Sequence, residues 1–287
     1  MHPNWFSAYL NQHPTVNHFK LEGARISYRH WSNKDKPGLL FVHGYAAHAS
    51  WWDFIAPAFT DSYDVVAIDL SGSGESDHRQ AYSSRLFARE IADCITASGM
   101  VSATIVGHSF GGAMTRNAAF LYPQRINGIV LADSYLTSQK QESKRTPLPR
   151  GATRYYPTLS EATKRFRLRP PQPRPMEFVL NYIAERSVRK TANGWCFKHD
   201  PALFAKMTQD IDLRSATEML RDLKIPVGMI YGRESRFFPS SKVKKLETLV
   251  SKELIIGIPN AHHHVFVDQP IPFIKALALV LRRQSST

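Results

Sequence analysis

Apolar residues recur along this chain with two different periods. Short unbroken runs at 39–42, 65–68, 103–106, 126–131, 225–231 and 253–258 predict strands buried on both faces. Apolar positions three and four apart predict helices at 83–97, where Leu86, Phe87, Ile91 and Ile95 share a stripe, and at 113–122, 240–250 and 271–283. A stretch crowded with aromatics at 51–59 reads as helical too. Near the start, Trp5, Phe6, Tyr9 and Leu10 are spaced like one face of a short helix. Residues 18–31 then alternate about Glu22-Gly23, which predicts an entry hairpin. Strand and helix alternate about every 25 residues as far as Asp133, and the alternation resumes at Ile225. That order implies right-handed crossovers and a mostly parallel, doubly wound sheet.

Between these two parts the pattern breaks. The segment from Tyr135 to Leu223 is rich in Arg, Lys and Pro and contains RFRLRPPQPRP at 165–175, with helical spacing near 176–186 and 201–219. A proline run of this kind could be a polyproline II ligand for a small recognition domain. An insertion into a continuing fold accounts better for the immediate return of the alternation.

The run at 103–106 ends in Gly107-His108-Ser109-Phe110-Gly111, a G-x-S-x-G element that leads straight into a helix-forming segment. Strand, sharp turn and helix at this spacing lift a serine hydroxyl clear of its own backbone, and a side chain at 107 or 111 would collide with the neighbouring strand and helix. The same turn could instead grip a phosphate at the helix start. No lysine follows the glycines, which excludes a P-loop. A serine hydroxyl is a weak nucleophile at neutral pH, so its use requires a base, a carboxylate and an oxyanion site elsewhere.

Composition narrows the class. The 287 residues are 43% hydrophobic and 21% charged, the balance of a globular protein with one main core. No run approaches the length needed to span a bilayer, and the first residues have neither the basic start nor the apolar core of a signal peptide. A cytoplasmic location is the expectation. Only two cysteines, Cys94 and Cys196, are present, in unlike contexts, so no disulfide is expected. The net charge of +13 points to attraction toward nucleic acid, anionic lipid or an acidic substrate without choosing among them. Residues 134–220 hold sixteen Lys and Arg against eight Asp and Glu, so about eight of the surplus charges lie in the insertion.

His43-Gly44 after an early strand, GHSFGG after a central one and Asn260-Ala261-His262-His263-His264 before the last helix together resemble the α/β-hydrolase superfamily. The chain order of serine, acid and histidine is the one that superfamily uses. The resemblance implies an α/β fold with residues 1–134 and 223–287 as the core and 135–222 as an inserted, mainly helical basic cap. More narrowly, the DLSGxGxS loop and the PPQP segment look like those of cap-bearing serine hydrolases. Ser109 would be the nucleophile, and the backbone N–H groups of Tyr45 and Phe110 would form the oxyanion hole. Laid against the family pattern, IPNAHHHVFVDQP puts His263 at the catalytic histidine, with His262 where glycine is usual. His43 would brace its loop. Asp69-Leu-Ser-Gly-Ser-Gly-Glu lacks the third glycine of a dinucleotide fingerprint and reads as a structural loop.

The acid has two candidates. The commonest family layout places it three residues beyond a glycine, but Gly232-Arg233-Glu234-Ser235 puts a serine there and a glutamate one residue early. Asp133, at the end of an earlier strand, is the preferred alternative. Three adjacent imidazoles could suggest a metal, yet neighbouring ligands on one loop rarely converge on one ion. No cofactor or metal is expected. A serine at the turn argues against relatives that use an aspartate nucleophile, such as epoxide hydrolases. The resemblance implies a hydrolase acting on a small-molecule acyl substrate, with an anionic one among the options. Ester, thioester, lactone and C–C bonds all stay open. So do a receptor-like binding protein with little turnover and a polyanion-binding protein with an idle site, although no nucleic-acid partner is expected. Trp51 and Trp52 read as core or as pocket lining.

Overall fold

A computed structural model of the chain describes residues 2–134, 151–173, 175–208 and 215–286. The first helix, α1 (Asn4–Leu10), leads into β1 (Thr15–Leu21) and β2 (Ala24–Trp31), paired antiparallel about a turn in which Glu22 and Gly23 both have positive φ. That turn geometry matches the twist of the two strands, and glycine adopts it without a steric penalty.

The parallel strands follow: β3 (Gly38–Val42), β4 (Asp64–Ile68), β5 (Ala103–His108) and β6 (Ile126–Ala132). Each coincides with one of the unbroken apolar runs, and every residue of β3 and β4 is buried. A short antiparallel pair, β7 (Val188–Thr191) and β8 (Gly194–Phe197), stands apart from the main sheet. With β9 (Val227–Gly232) and β10 (Ile255–Ile258) the eight-stranded sheet has the order β1-β2-β4-β3-β5-β6-β9-β10, antiparallel only where β2 pairs with β1 and β4.

This order positions the site. From β3 the chain steps to β4 on one side, then returns to β5 on the other, so the loops after β3 and β5 leave in opposite directions. The crevice so formed at the carboxyl ends of parallel strands is where open α/β sheets bind ligands. The β3 loop carries Tyr45 and the β5 turn carries Ser109.

Helices α2 (Ser84–Ala97) and α3 (Phe110–Leu121) pack side by side, and the last helix, Pro270–Ser285, packs on β6, β9 and β10. Ser83 caps α2 by accepting the Leu86 N–H at 3.1 Å. Trp52 stacks on Phe266 with ring centroids 4.2 Å apart, deep in the core. The 51–59 stretch is not one helix. It forms two 3-10 turns, Ala49–Trp52 and Ala56–Phe59, because Pro57 has no N–H to continue a helical ladder.

Between β6 and β9, helices Leu159–Thr163, Glu177–Arg186 and Ala216–Asp222 appear with the β7–β8 hairpin, which the sequence reading passed over. Of the expected helix at 201–219, Leu203–Lys206 is a 3-10 turn, and 209–214 lie outside the described residues, as do 135–150. Described residues of this stretch contact the residues around the first strands. Tyr182 donates to Asp53 Oδ2 at 2.6 Å, His48 Nε2 lies 3.0 Å from Ser187 Oγ, and Phe178 packs edge-on against Phe6. Among the described residues no helix is long and apolar enough to cross a membrane.

Candidate active site

Ser109 occupies the turn between β5 and α3 with φ 51° and ψ −117°. A non-glycine residue in that region stores strain of about 1–3 kcal/mol and persists only where its surroundings fix it. Here its N–H donates to Ala132 O at 3.0 Å, and its carbonyl accepts from Gly112 N–H at 3.0 Å and the Ser134 hydroxyl at 2.8 Å. Close packing completes the constraint. A Cβ on Gly111 would stand 2.2 Å from the His43 carbonyl oxygen, and one on Gly107 would stand 2.4 Å from Thr115 Oγ1. The collisions expected at 107 and 111 are therefore present. With its backbone pinned, Ser109 presents a half-buried hydroxyl at the sheet's carboxyl edge.

The loop after β10 brings His263 to that hydroxyl. Its Nε2 lies 2.8 Å from Ser109 Oγ, and its Nδ1 lies 2.7 Å from Asp133 Oδ1. An ionised carboxylate can only accept, so the proton of the neutral ring sits on Nδ1 and Nε2 is free to accept from the serine. Asp133 follows β6 directly, is fully buried, and accepts from Gly232 N–H at 2.9 Å and the Ser235 hydroxyl at 2.8 Å. Ser235 thus occupies the position where the commoner layout has its acid, and its hydroxyl donates to Asp133. Glu234 is exposed, and its N–H donates to Ala261 O; Asp133 is the carboxylate that meets His263.

Burial sets the electrostatics. It lowers the His263 imidazole to about 3, and the charge of Arg236 adds to that shift. It raises the Asp133 carboxyl to about 7, against the Gly232 N–H and the Ser235 hydroxyl, which favour the anion. The imidazole is therefore neutral at rest, the form in which Nε2 can take a proton.

The other histidines act on backbone. His43 Nε2 accepts from Leu70 N–H at 3.1 Å, which leaves Nδ1 to donate to Gly44 O at 2.8 Å. That carbonyl also accepts from Ala47 N–H, and in a trans peptide the Tyr45 N–H points the opposite way. Gly44 lies against the serine: a Cβ there would be 2.8 Å from His108 Nδ1 and 3.4 Å from Ser109 Cβ. Among the described residues neither the Tyr45 nor the Phe110 N–H has an acceptor. His108 Nε2, 3.0 Å from the His263 carbonyl, donates to it and holds the loop in place.

His262 turns toward Asp268, while His264 is buried beside Trp51 and His108. The described residues contain no group of His, Cys, Asp and Glu able to hold a metal, and Cys94 and Cys196 are both free and buried. Asp69 accepts Ala49 N–H at 2.6 Å and Glu75 N–H at 3.0 Å, a brace for two loops. Trp51 and Trp52 are buried.

Sequence reasoning passed over Gln172. Its Oε1 accepts from His264 N–H at 3.0 Å and its Nε2 donates to Asp268 Oδ1 at 2.7 Å, so the PPQP stretch ties the inserted segment to the histidine loop. Phe237, whose ring centroid is 4.6 Å from that of His263, was passed over as well. A signal existed for Ser235 alone, in its place three residues after Gly232.

Comparison with known proteins places the fold. A family model described as the alpha/beta hydrolase fold matches residues 37–270. The uncharacterized hydrolase YugF of Bacillus subtilis is 24% identical over 263 residues, covering 89% of this chain and 93% of that one. Epoxide hydrolase 1 of Caenorhabditis elegans is 34% identical over 116 residues, but these are only 39% of this chain and 29% of that protein. Among solved structures, E-2-(acetamidomethylene)succinate hydrolase superposes with a TM-score of 0.80 at 20% identity, over 94% of this chain and 100% of that one. A thioesterase domain from the curacin biosynthetic pathway superposes with a TM-score of 0.74 at 21% identity, over 93% of this chain and 99% of that one. At such identities the superpositions speak for the fold alone, but the family match spans most of the sequence, and the chain belongs to the alpha/beta hydrolase fold family.

Proposed function

We propose that the protein is a serine hydrolase that cleaves a carboxylic ester or a related acyl bond through an acyl-enzyme on Ser109. The observation that carries this reading is the unbroken series from Ser109 Oγ through His263 to Asp133, with contacts of 2.8 and 2.7 Å. As Ser109 Oγ attacks the carbonyl carbon, its proton passes to His263 Nε2, and Asp133 steadies the imidazolium. The carbonyl oxygen becomes an oxyanion held by the Tyr45 and Phe110 N–H groups. Collapse breaks the bond to the leaving group, which takes the proton from His263. Water then attacks the acyl-enzyme by the same route, releasing the acid and restoring Ser109.

In this reading residues 135–222 cap the site and the remaining chain is the core. A thioester, the bond class named in one structural neighbour, would follow the same steps. Epoxide opening, named in one relative, uses an aspartate nucleophile where this chain has Ser109.

Turnover of p-nitrophenyl butyrate tests the proposal. Wild-type protein should hydrolyse it, and Ser109→Ala should lose about 10⁶-fold in kcat, as expected when the nucleophile of such a unit is removed. Equal rates from both proteins would overturn the reading.

A further inference from the structure

His263 stands in the irregular loop between β10 and the short helix Val265–Asp268, so the place of its ring depends on what holds the peptides beside it. Side chains hold them at three points. His108 Nε2 donates to the His263 carbonyl at 3.0 Å, Asp268 Oδ2 accepts the His262 N–H at 2.7 Å, and Gln172 Oε1 accepts the His264 N–H at 3.0 Å. A further contact joins two of these anchors, from Gln172 Nε2 to Asp268 Oδ1 at 2.7 Å. His108 ends β5 and Asp268 belongs to the helix that follows the loop, whereas Gln172 comes from the stretch between β6 and β9.

The series admits one arrangement of donors and acceptors. A peptide N–H can only donate, so Oε1 of Gln172 faces His264 and Nε2 faces Asp268. N–H groups then face both oxygens of Asp268, which is the pattern of a carboxylate. Prolines at 170, 171 and 173 fix φ around Gln172, and the one that follows it keeps Gln172 itself out of the helical region. The amide is presented by a backbone with few ways to relax. Asp268 is buried, and without the Gln172 amide its Oδ1 loses a donor. The His262 ring, with Nδ1 3.5 Å from Oδ2, is at hand to turn toward it, and such a turn would shift the peptide next to His263. The His263 ring has little room for error, since Nε2 must stay at the 2.8 Å that joins it to Ser109 Oγ.

Resting on the proposed acyl-transfer reading, we propose that Gln172 is a positioning residue for that reaction, fixing the His263 ring through the His264 peptide and Asp268. Gln172 acts on no reacting atom itself. His263 moves a proton in both acylation and deacylation, so a displaced ring slows both steps alike, which lowers kcat and leaves KM nearly unchanged.

The test breaks the series and rebuilds it with the roles exchanged, using p-nitrophenyl butyrate and rates taken per active site by titration, so that loss of folded protein does not enter. Gln172→Leu keeps the bulk and loses both hydrogen bonds; it should lower kcat by about tenfold to about 10²-fold, the cost of a displacement of roughly 1 Å, with KM little changed. Above neutral pH, Gln172→Glu sets a second carboxylate against Asp268, and Asp268→Asn sets an amide against the Gln172 amide, so each alone should also slow turnover. Combined, the two substitutions restore every contact: the new carboxylate accepts from His264 N–H and from the new amide, whose oxygen accepts from His262 N–H. The double variant should recover most of the wild-type kcat, a coupling that independent losses would not show. Hydrogen exchange at the His264 amide, which needs no substrate, should quicken in Gln172→Leu and slow again in the double variant. Wild-type kcat in Gln172→Leu, a loss carried by KM instead, unchanged exchange at His264, or a double variant no faster than the slower single one would overturn the proposal. Hydrolysis by Ser109→Ala at the wild-type rate would instead overturn the acyl-enzyme reading on which it rests, so the two failures are distinguishable.

Discussion

Asp69 and Asp133 begin from the same structural position and meet different partners. Each is the residue directly after a parallel strand, β4 for one and β6 for the other, and each is buried. Burial raises both carboxyls, to about 6 and about 7. Asp69 spends both oxygens on the backbone N–H groups of Ala49 and Glu75, and a Cβ on Gly74 would overlap its carboxylate. Asp133 has a backbone donor in Gly232 and a hydroxyl donor in Ser235, but Oδ1 also faces the Nδ1 of a histidine whose other nitrogen reaches a serine open to the crevice. A buried strand-end carboxylate is therefore not in itself a catalytic group. What faces its second lone pair decides whether it only braces a loop, as Asp69 does, or can polarise a base, as proposed for Asp133.

Substituting the two aspartates separates these roles most sharply. Asp133→Asn should lower kcat about 10⁴-fold with the fold retained, because an amide cannot hold the working tautomer or offset the imidazolium charge. Asp69→Ala should leave the rate per folded molecule nearly intact and lower unfolding free energy by about 1–3 kcal/mol for each buried donor it orphans. Rates normalised by active-site titration, together with urea unfolding curves, check both. A large rate loss in Asp69→Ala with normal stability would erase the distinction. Glu234→Gln should change turnover only a few-fold, and a loss matching that of Asp133→Asn would move the acid to Glu234.

Next in size is the oxyanion loop. Gly44→Ala would drive a Cβ against His108 Nδ1 and Ser109 Cβ, displacing the peptide that carries the Tyr45 N–H. Loss of one such donor costs about 10² to 10³ in kcat. A variant that folds and turns over at the wild-type rate would remove Tyr45 from the proposed hole.

The pH profile sharpens the comparison further. In the proposed mechanism turnover requires the His263–Asp133 pair without its extra proton, and the first proton added enters near the raised Asp133 value. Activity should therefore be half-maximal near 7, level off at higher pH and decline as pH falls below it. The Ser235 hydroxyl favours the Asp133 anion, so Ser235→Ala should raise that carboxyl and move the acid limb to higher pH. An acid limb that stays in place, or moves down, would show that Ser235 does not act on the pair.

How far the sequence revealed this arrangement depends on how local each signal is. The runs at 39–42, 65–68 and 126–131 needed only short-range apolar continuity, and each is a buried strand. The turn at Ser109 was legible because a serine between two glycines, set between an apolar run and a helix-forming segment, marks a turn packed too closely for side chains at 107 and 111. The place of Asp133, directly after β6, was legible from the apolar run that precedes it; its 2.7 Å contact with His263 Nδ1 was not. By contrast, β7 and β8 are four residues each, too short for a periodic signal, with only the Asn193-Gly194 pair to mark their turn. In 51–59 the aromatic content suggested a helix, but the position of Pro57 governed the backbone. Ser235 looked like a missing acid because its partner is 102 residues away in the chain. Gln172 was hidden for the same reason, since its partners His264 and Asp268 lie 92 and 96 residues away in the chain.

The most direct test of the central claim is to trap the intermediate. A p-nitrophenyl ester mixed with protein and quenched in acid within one turnover, then digested and mapped by mass spectrometry, should place the acyl group on Ser109, in the peptide that spans β5 and α3. The adduct should be absent from Ser109→Ala and should form far more slowly in Asp133→Asn. An acyl group on any other residue, or turnover with no covalent species at any quench time, would contradict the account.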